Sequence, residues 1–167
     1  MFLEAKKLIG LPLAAEDIQA KVGEIAQIVI DPENGRLLGF LVKTGGLFSP
    51  TLALSIVDVR AWDPNGLVTG SIENLVPSKE IIRLQNVLEK KIDFLKMSAK
   101  TESGKGLGIV ENLLIDTDTE TVTKYYLKDL LGKSRVLGAD KVVRVDKQII
   151  FTDDVGEPSV GAVSATA

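Results

Sequence analysis

Cysteine and histidine are both absent from this 167-residue sequence, and aromatic residues make up only 5% of it. Without cysteine there is no disulfide, thiolate nucleophile, iron–sulfur cluster or zinc knuckle. Without histidine the one side chain that titrates near neutrality unperturbed is missing. Ser-His-Asp catalysis and histidine-based haem or transition-metal ligation go with it. The expectation is therefore a protein that is not an enzyme and uses no cofactor. Long apolar runs are missing too. Glu4, Lys6 and Lys7 interrupt the start of the chain, and the densest apolar stretch, Ile25 to Ile30, is far shorter than the roughly 20 residues that cross a bilayer. A cytoplasmic location without membrane insertion is expected.

What is present is ordinary for a folded domain: 45% apolar and 26% charged residues, with a formal net charge of −3. With so few aromatic rings, the core must come from Leu, Ile and Val, and β-branched side chains suit strands. The acidic balance argues against a general nucleic-acid binder. One stretch runs against it: Lys124, Lys128, Lys133, Arg135, Lys141, Arg144 and Lys147 face only Asp129, Asp140 and Asp146.

The chain resembles itself. Val22-Gly23-Glu24-Ile25-Ala26-Gln27-Ile28-Val29-Ile30-Asp31 aligns with Leu107-Gly108-Ile109-Val110-Glu111-Asn112-Leu113-Leu114-Ile115-Asp116, and Phe40 with Tyr125, at an offset of 85. Val59-Arg60 aligns with Val143-Arg144 after a slip of one residue. Each copy reads as β. Ile28 and Ile30, then Leu38, Phe40 and Val42, alternate about the turn Asp31-Pro32-Glu33-Asn34-Gly35. Its counterpart is Asp116-Thr117-Asp118-Thr119-Glu120. Further hairpins are expected at Asp63-Pro64-Asn65-Gly66 and Asp146-Lys147.

Between the copies, Ser78 is placed as the N-cap of a short helix whose apolar face is Ile81, Leu84 and Leu88, packed on one or both copies. The expected organisation is a first domain over 1–76, a helical linker over 77–90, a second domain over 91–155 and a flexible tail over 156–167. Closing five or six strands into a small barrel would remove exposed edges, so two tandem barrels are expected.

These residues resemble the PRC-barrel family. Copy one supplies Val22-Gly23-Glu24-Ile25, Val29 to Arg36, Gly45-Gly46-Leu47-Phe48 and Leu52 to Val57. Copy two supplies Gly104 to Gly108, Leu114-Ile115-Asp116 and Gly138 to Val142. The resemblance implies a mainly β fold of two small PRC-type barrels joined by a short helix. The family includes the cytoplasmic barrel of the photosynthetic reaction-centre H subunit and the C-terminal domain of a ribosome-maturation factor. It therefore implies a protein-binding or assembly module.

Several motifs invite chemistry and fall short of it. Asp116, Asp118 and Glu120 alternate like a calcium loop, but Thr121 and Leu127 stand where Gly and Glu are needed. Ser103-Gly104-Lys105-Gly106 lacks both the Walker spacing and a third glycine for dinucleotides, since Ala99, Gly106 and Ile109 hold those places. Its glycines are read as a tight turn before a strand. Glu24, Glu111 and the aspartates have no cleft to converge in, and Ser98 with Lys96 or Lys100 has no supporting context. Trp62 and Tyr125 read as core or semi-core.

The loop Gly45-Gly46-Leu47-Phe48-Ser49-Pro50 has two readings. Its apolar pair either plugs a barrel end or faces outward as a protein anchor. Leu130-Leu131-Gly132-Lys133 is the counterpart. Leu47, Phe48, Lys133 and Arg135 are the expected contacts, with a protein as the expected partner. The rival readings are an RNA- or ribosome-associated assembly factor using Lys124 to Lys147, and a carboxylate-dependent enzyme or small-ligand binder.

Overall fold

A computed structural model describes residues 1–156. Of the expected tail, Glu157 to Ala167 lie outside the described residues. The chain is mainly β, with two sheets. Strands β1 (Phe2–Glu4), β2 (Pro12–Ala15), β3 (Ala20–Ile30), β4 (Leu37–Lys43), β5 (Thr51–Ser55), β6 (Val59–Asp63) and β7 (Gly66–Thr69) come first. Helices α1 (Ala5–Leu8) and α2 (Ile82–Glu89) accompany them. Strands β8 (Ser98–Thr101), β9 (Gly106–Asp116), β10 (Thr121–Lys128), β11 (Ser134–Gly138), β12 (Val142–Val145) and β13 (Ile149–Phe151) follow.

The first sheet runs β5-β4-β3-β2-β7-β6 and the second β11-β10-β9-β8-β13-β12. These are the same order written twice, and each contains one parallel ladder, β2 with β7 and β8 with β13. A 3-10 turn, Ile56–Asp58 or Ala139–Lys141, precedes the corresponding strands β6 and β12. Val59 therefore corresponds to Val142 rather than to the aligned Val143, so the slip is one residue larger than the sequence comparison gives. Both sheets are open paths: among the described residues no ladder joins β5 to β6 or β11 to β12. The outer side of β5 instead meets Val76, whose amide and carbonyl exchange bonds of 3.0 and 2.7 Å with Ala53.

The turn chemistry gives the hairpins where expected. β3 and β4 are antiparallel across Asp31–Arg36, β9 and β10 across Thr117–Glu120, β6 and β7 across Pro64-Asn65, and β12 and β13 across Asp146–Gln148. The alternation is not continuous, however. Val29 pairs with Gly39 and Ile30 with Leu37, a bulge that resets the phase. Leu37 and Phe40 are buried as a result, while Leu38, expected inside, is only half-buried.

Compact unit one comprises Ala5–Asp31 and Leu37–Lys91; compact unit two comprises Met1–Glu4, Pro32–Arg36 and the described chain from Ile92. The cuts thus differ from boundaries at 76 and 91. β1 pairs with β9 (Phe2 with Asp116, Leu3 with Ile115, Glu4 with Leu114), so the start of the chain belongs to the later sheet. The linker helix belongs to the earlier unit, where α2 packs on β3 and β4. Ser78 does not cap it. Its hydroxyl donates to Gln85 (2.7 Å), a 3-10 turn over Ser78–Glu80 intervenes, and Ile81 occupies the cap. The buried face is Leu84 and Val87, with Leu88 half-buried.

The core of unit one gathers Leu13, Ile25, Phe40, Leu54, Leu67 and Leu84. That of unit two gathers Phe94, Leu113, Ile115, Tyr125 and Phe151, with the Tyr125 ring 6.3 Å from Phe94 and 5.5 Å from Phe151. Trp62 lies half-buried with its edge on Phe40, 5.7 Å away.

Candidate functional site

Four of the five most exposed large apolar side chains, Val57 being the fifth, sit at the same connection in both sheets. The β4–β5 ladder ends at Lys43 opposite Thr51, leaving Thr44–Pro50 as the loop. The β10–β11 ladder ends at Lys128 opposite Ser134, leaving Asp129–Lys133. Leu47 and Phe48 are 85% and 97% exposed, and Leu130 and Leu131 are 100% and 82% exposed. Of the two readings of these pairs, the outward one describes the geometry. Single exposed apolar residues are commonplace on protein surfaces, whereas adjacent pairs at a hairpin tip concentrate apolar area that only a binding event would cover.

The two tips are built differently. Thr44 closes the first by donating to the Pro50 carbonyl (2.8 Å), and the Ser49 amide reaches Gly46 O (2.9 Å). The amides of Leu47 and Phe48 make no bond among the described residues, so the loop backbone keeps free donors. In the second tip one aspartate organises the turn. The Asp129 carboxylate accepts from the amides of Leu131 and Lys133, both at 2.9 Å. Gly132 N reaches Asp129 O, and Asp129 N reaches Lys133 O, both at 3.0 Å. Gly132 has a φ of +78°, the left-handed region that glycine adopts without strain.

Beside the first tip lies a groove of about 370 Å³ lined by Lys21, Gly23, Glu24, Lys43, Thr44 and Gly45. Lys21 and Glu24 form an ion pair at 2.7 Å, and that bond, with the charge of Lys21, holds the Glu24 carboxyl below its usual range. Glu24, expected to have no cleft, thus lines one, although no second acid joins it there, and the lysines escape sequence reading because charges at strand ends resemble any solvated face. The available signal was Lys43 standing immediately before the apolar loop. A second concavity, about 130 Å³ within unit two, lies between the turn at residues 32–35 and a wall of Val122, Tyr125, Val142 and Val145, and burial pushes the Tyr125 phenol far up.

The other two expected contact residues part company. Lys133 is exposed at the second tip, whereas Arg135 is 8% exposed and donates to the carbonyls of Val155 (3.3 Å) and Gly156 (2.8 Å). Arg135 thus fastens the chain after β13 instead of facing a partner. The rest of the basic stretch is also engaged in part. Lys128 stands 3.8 Å from Glu111, Lys141 pairs with Asp154 (3.0 Å) and Arg144 with Asp146 (3.6 Å).

The remaining motifs serve local structure. The Asp116 carboxylate accepts from the Asp118 amide (3.0 Å), and that bond keeps its pKa low. Gly104, with a φ of +94°, makes the β8–β9 turn, while the Asp153 carboxylate accepts from the Ser103 amide (3.0 Å). Ser98 accepts from Gln148 (2.9 Å). Among the described residues no three Asp or Glu side chains gather closely enough to hold a metal ion. No helix among them is long and apolar enough to cross a membrane.

No curated protein matches the chain. Residues 1–76 match the family model of the PRC-barrel domain, which places the first tip, its groove and the strands that carry them within that family's pattern.

Proposed function

We propose that the chain is a non-catalytic, cytoplasmic binding module in which both units are PRC-type barrels derived from one duplicated domain. Its partner is a protein, engaged through the Leu47–Phe48 tip. The repeated strand order supports the duplication. The observation that carries the binding reading is a Phe and a Leu exposed side by side next to a charged groove. An apolar anchor flanked by polar rim groups is the usual anatomy of a protein interface. The unbonded amides of Leu47 and Phe48 add donors that a partner's backbone can satisfy. The rival RNA reading draws less support, because Arg135, Lys141 and Arg144, three of the seven cations, already have close partners within the chain.

The test is affinity capture from native lysate with the wild-type chain and with Leu47→Asp combined with Phe48→Asp. Each side chain contributes about 1.5–3 kcal/mol when fully buried, so the double variant should lose its specific partners by at least about a hundredfold in affinity. Both side chains are exposed, so folding should be unaffected. Recovery of the same proteins by both forms would discard the tip as the contact.

A further inference from the structure

We propose that the second tip, Asp129–Lys133, docks on an anionic lipid surface. Three features of this hairpin separate it from the first. Its apolar area is larger than the pair alone, because Ile109, 48% exposed, stands opposite Lys128 in the last rung of the β9–β10 ladder before the turn. Its backbone is better satisfied: the amides of Asp129, Leu131, Gly132 and Lys133 bond within the loop, leaving that of Leu130, whereas those of Leu47 and Phe48 are both left in the first tip. Polar backbone groups that enter an apolar phase without partners are costly, so the more fully bonded turn is immersed at a lower cost than the open Thr44–Pro50 loop.

Its charges have the sign and placement that an anionic interface requires. Lys133 ends the turn and Lys128 precedes it, both exposed, and Lys128 holds Glu111 only at 3.8 Å. The one acid inside the turn, Asp129, has its Oδ1 occupied by two amides. A convex apolar tip between lysines suits a fluid surface that shapes itself around it. A turn of this length reaches only the headgroup region and its boundary with the acyl chains, so the chain lies on the bilayer and does not span it.

The full-length chain is mixed with vesicles of phosphatidylcholine alone, or of phosphatidylcholine with phosphatidylglycerol, and bound protein is measured by sedimentation. The wild type should bind the anionic vesicles and only weakly the neutral ones. Leu130→Ser with Leu131→Ser should weaken binding by at least about tenfold. Lys133→Gln should weaken it by about fivefold. The Leu47 and Phe48 variant should bind vesicles as the wild type does, which separates this proposal from the protein-binding one. As a second readout, emission from Leu130→Trp should move to the blue when anionic vesicles are added, with Trp62 as the constant background. Wild-type protein left in the supernatant, vesicle binding unchanged by the serine pair, or no blue shift would each overturn the proposal. Protein partners lost with the serine pair while vesicles are ignored would overturn it as well, making the tip a protein contact.

Discussion

Gly23 and Gly108, matched in the sequence, do the same work in the two sheets, and it is not turn formation. Both lie inside long strands, on β3 and β9, beside an irregularity in the ladder to the preceding strand. A Cβ on Gly108 would stand 2.1 Å from the Lys128 carbonyl oxygen and 2.7 Å from the Asp129 Cα. On Gly23 it would meet the Lys43 carbonyl oxygen at 2.7 Å and Val42 Cγ1 at 2.6 Å. Each glycine lets the neighbouring strand close in at the root of an exposed tip. Gly108 also has a φ of +93°. Gly108→Ala therefore combines a left-handed backbone penalty with a clash against main chain that cannot swing aside. We expect it to lower stability by about 2–4 kcal/mol. Gly46→Ala, with open space around the added methyl, should stay within about 0.5 kcal/mol. Equilibrium denaturation of the two variants measures this, and equal midpoints would mean that the strands do not approach so closely.

At the scale of elements, what could be read in the sequence had a local chemical cause. The Pro, Asn, Gly and Asp residues of the turns mark four hairpins, and adjacent Leu-Phe and Leu-Leu pairs in polar loops mark both tips. Elements without a local cause were passed over. Strands β2 and β8 have four residues each, too few to show a period, and their parallel partners β7 and β13 lie some 50 residues onward. The phase of β4 was misread at Leu38 because a bulge is set by the partner strand and leaves no mark in the residue pattern. Helix α2 was found, but its inner face is set by packing on β3 and β4. Leu84 is fully buried, with its Cδ1 within 3.1 Å of where a Gly39 Cβ would be. Leu84→Ala should cost about 3 kcal/mol through the cavity it leaves, and Leu88→Ala about 1 kcal/mol or less. Thermal unfolding compares them directly, and a larger loss at Leu88 would rotate the helix to the face expected from sequence spacing.

The whole molecule is threaded so that neither unit is a continuous stretch of chain. Residues 1–4 and 32–36 belong with the chain after Ile92, and everything between belongs with the first sheet. Sequence comparison favours a cut near residue 76 because the repeat is local, while membership in a unit is decided by long-range pairing. That pairing is specific. Leu3, 8% exposed, lies opposite Ile115, and the Thr117 amide and hydroxyl both donate to the Met1 carbonyl, at 2.9 and 3.0 Å. Gly35 O likewise accepts from Val122 N at 3.0 Å. A charge placed at residue 3 would therefore act far along the sequence, on β9. In Leu3→Asp, a buried apolar side chain gives way to a carboxylate held opposite the buried Ile115, and the β1 ladder should release. Hydrogen exchange should then show faster exchange of the Thr117 amide and of its neighbours on β9. The Ile25 amide, bonded to Leu11 O (2.9 Å) in the first unit, should keep its protection. Protection lost equally at Ile25 and Thr117 would mean that the interleaved chain opens as one cooperative body. Loss confined to Thr117 and β9 would mean that the N-terminal strand serves the sheet formed by the other end of the sequence.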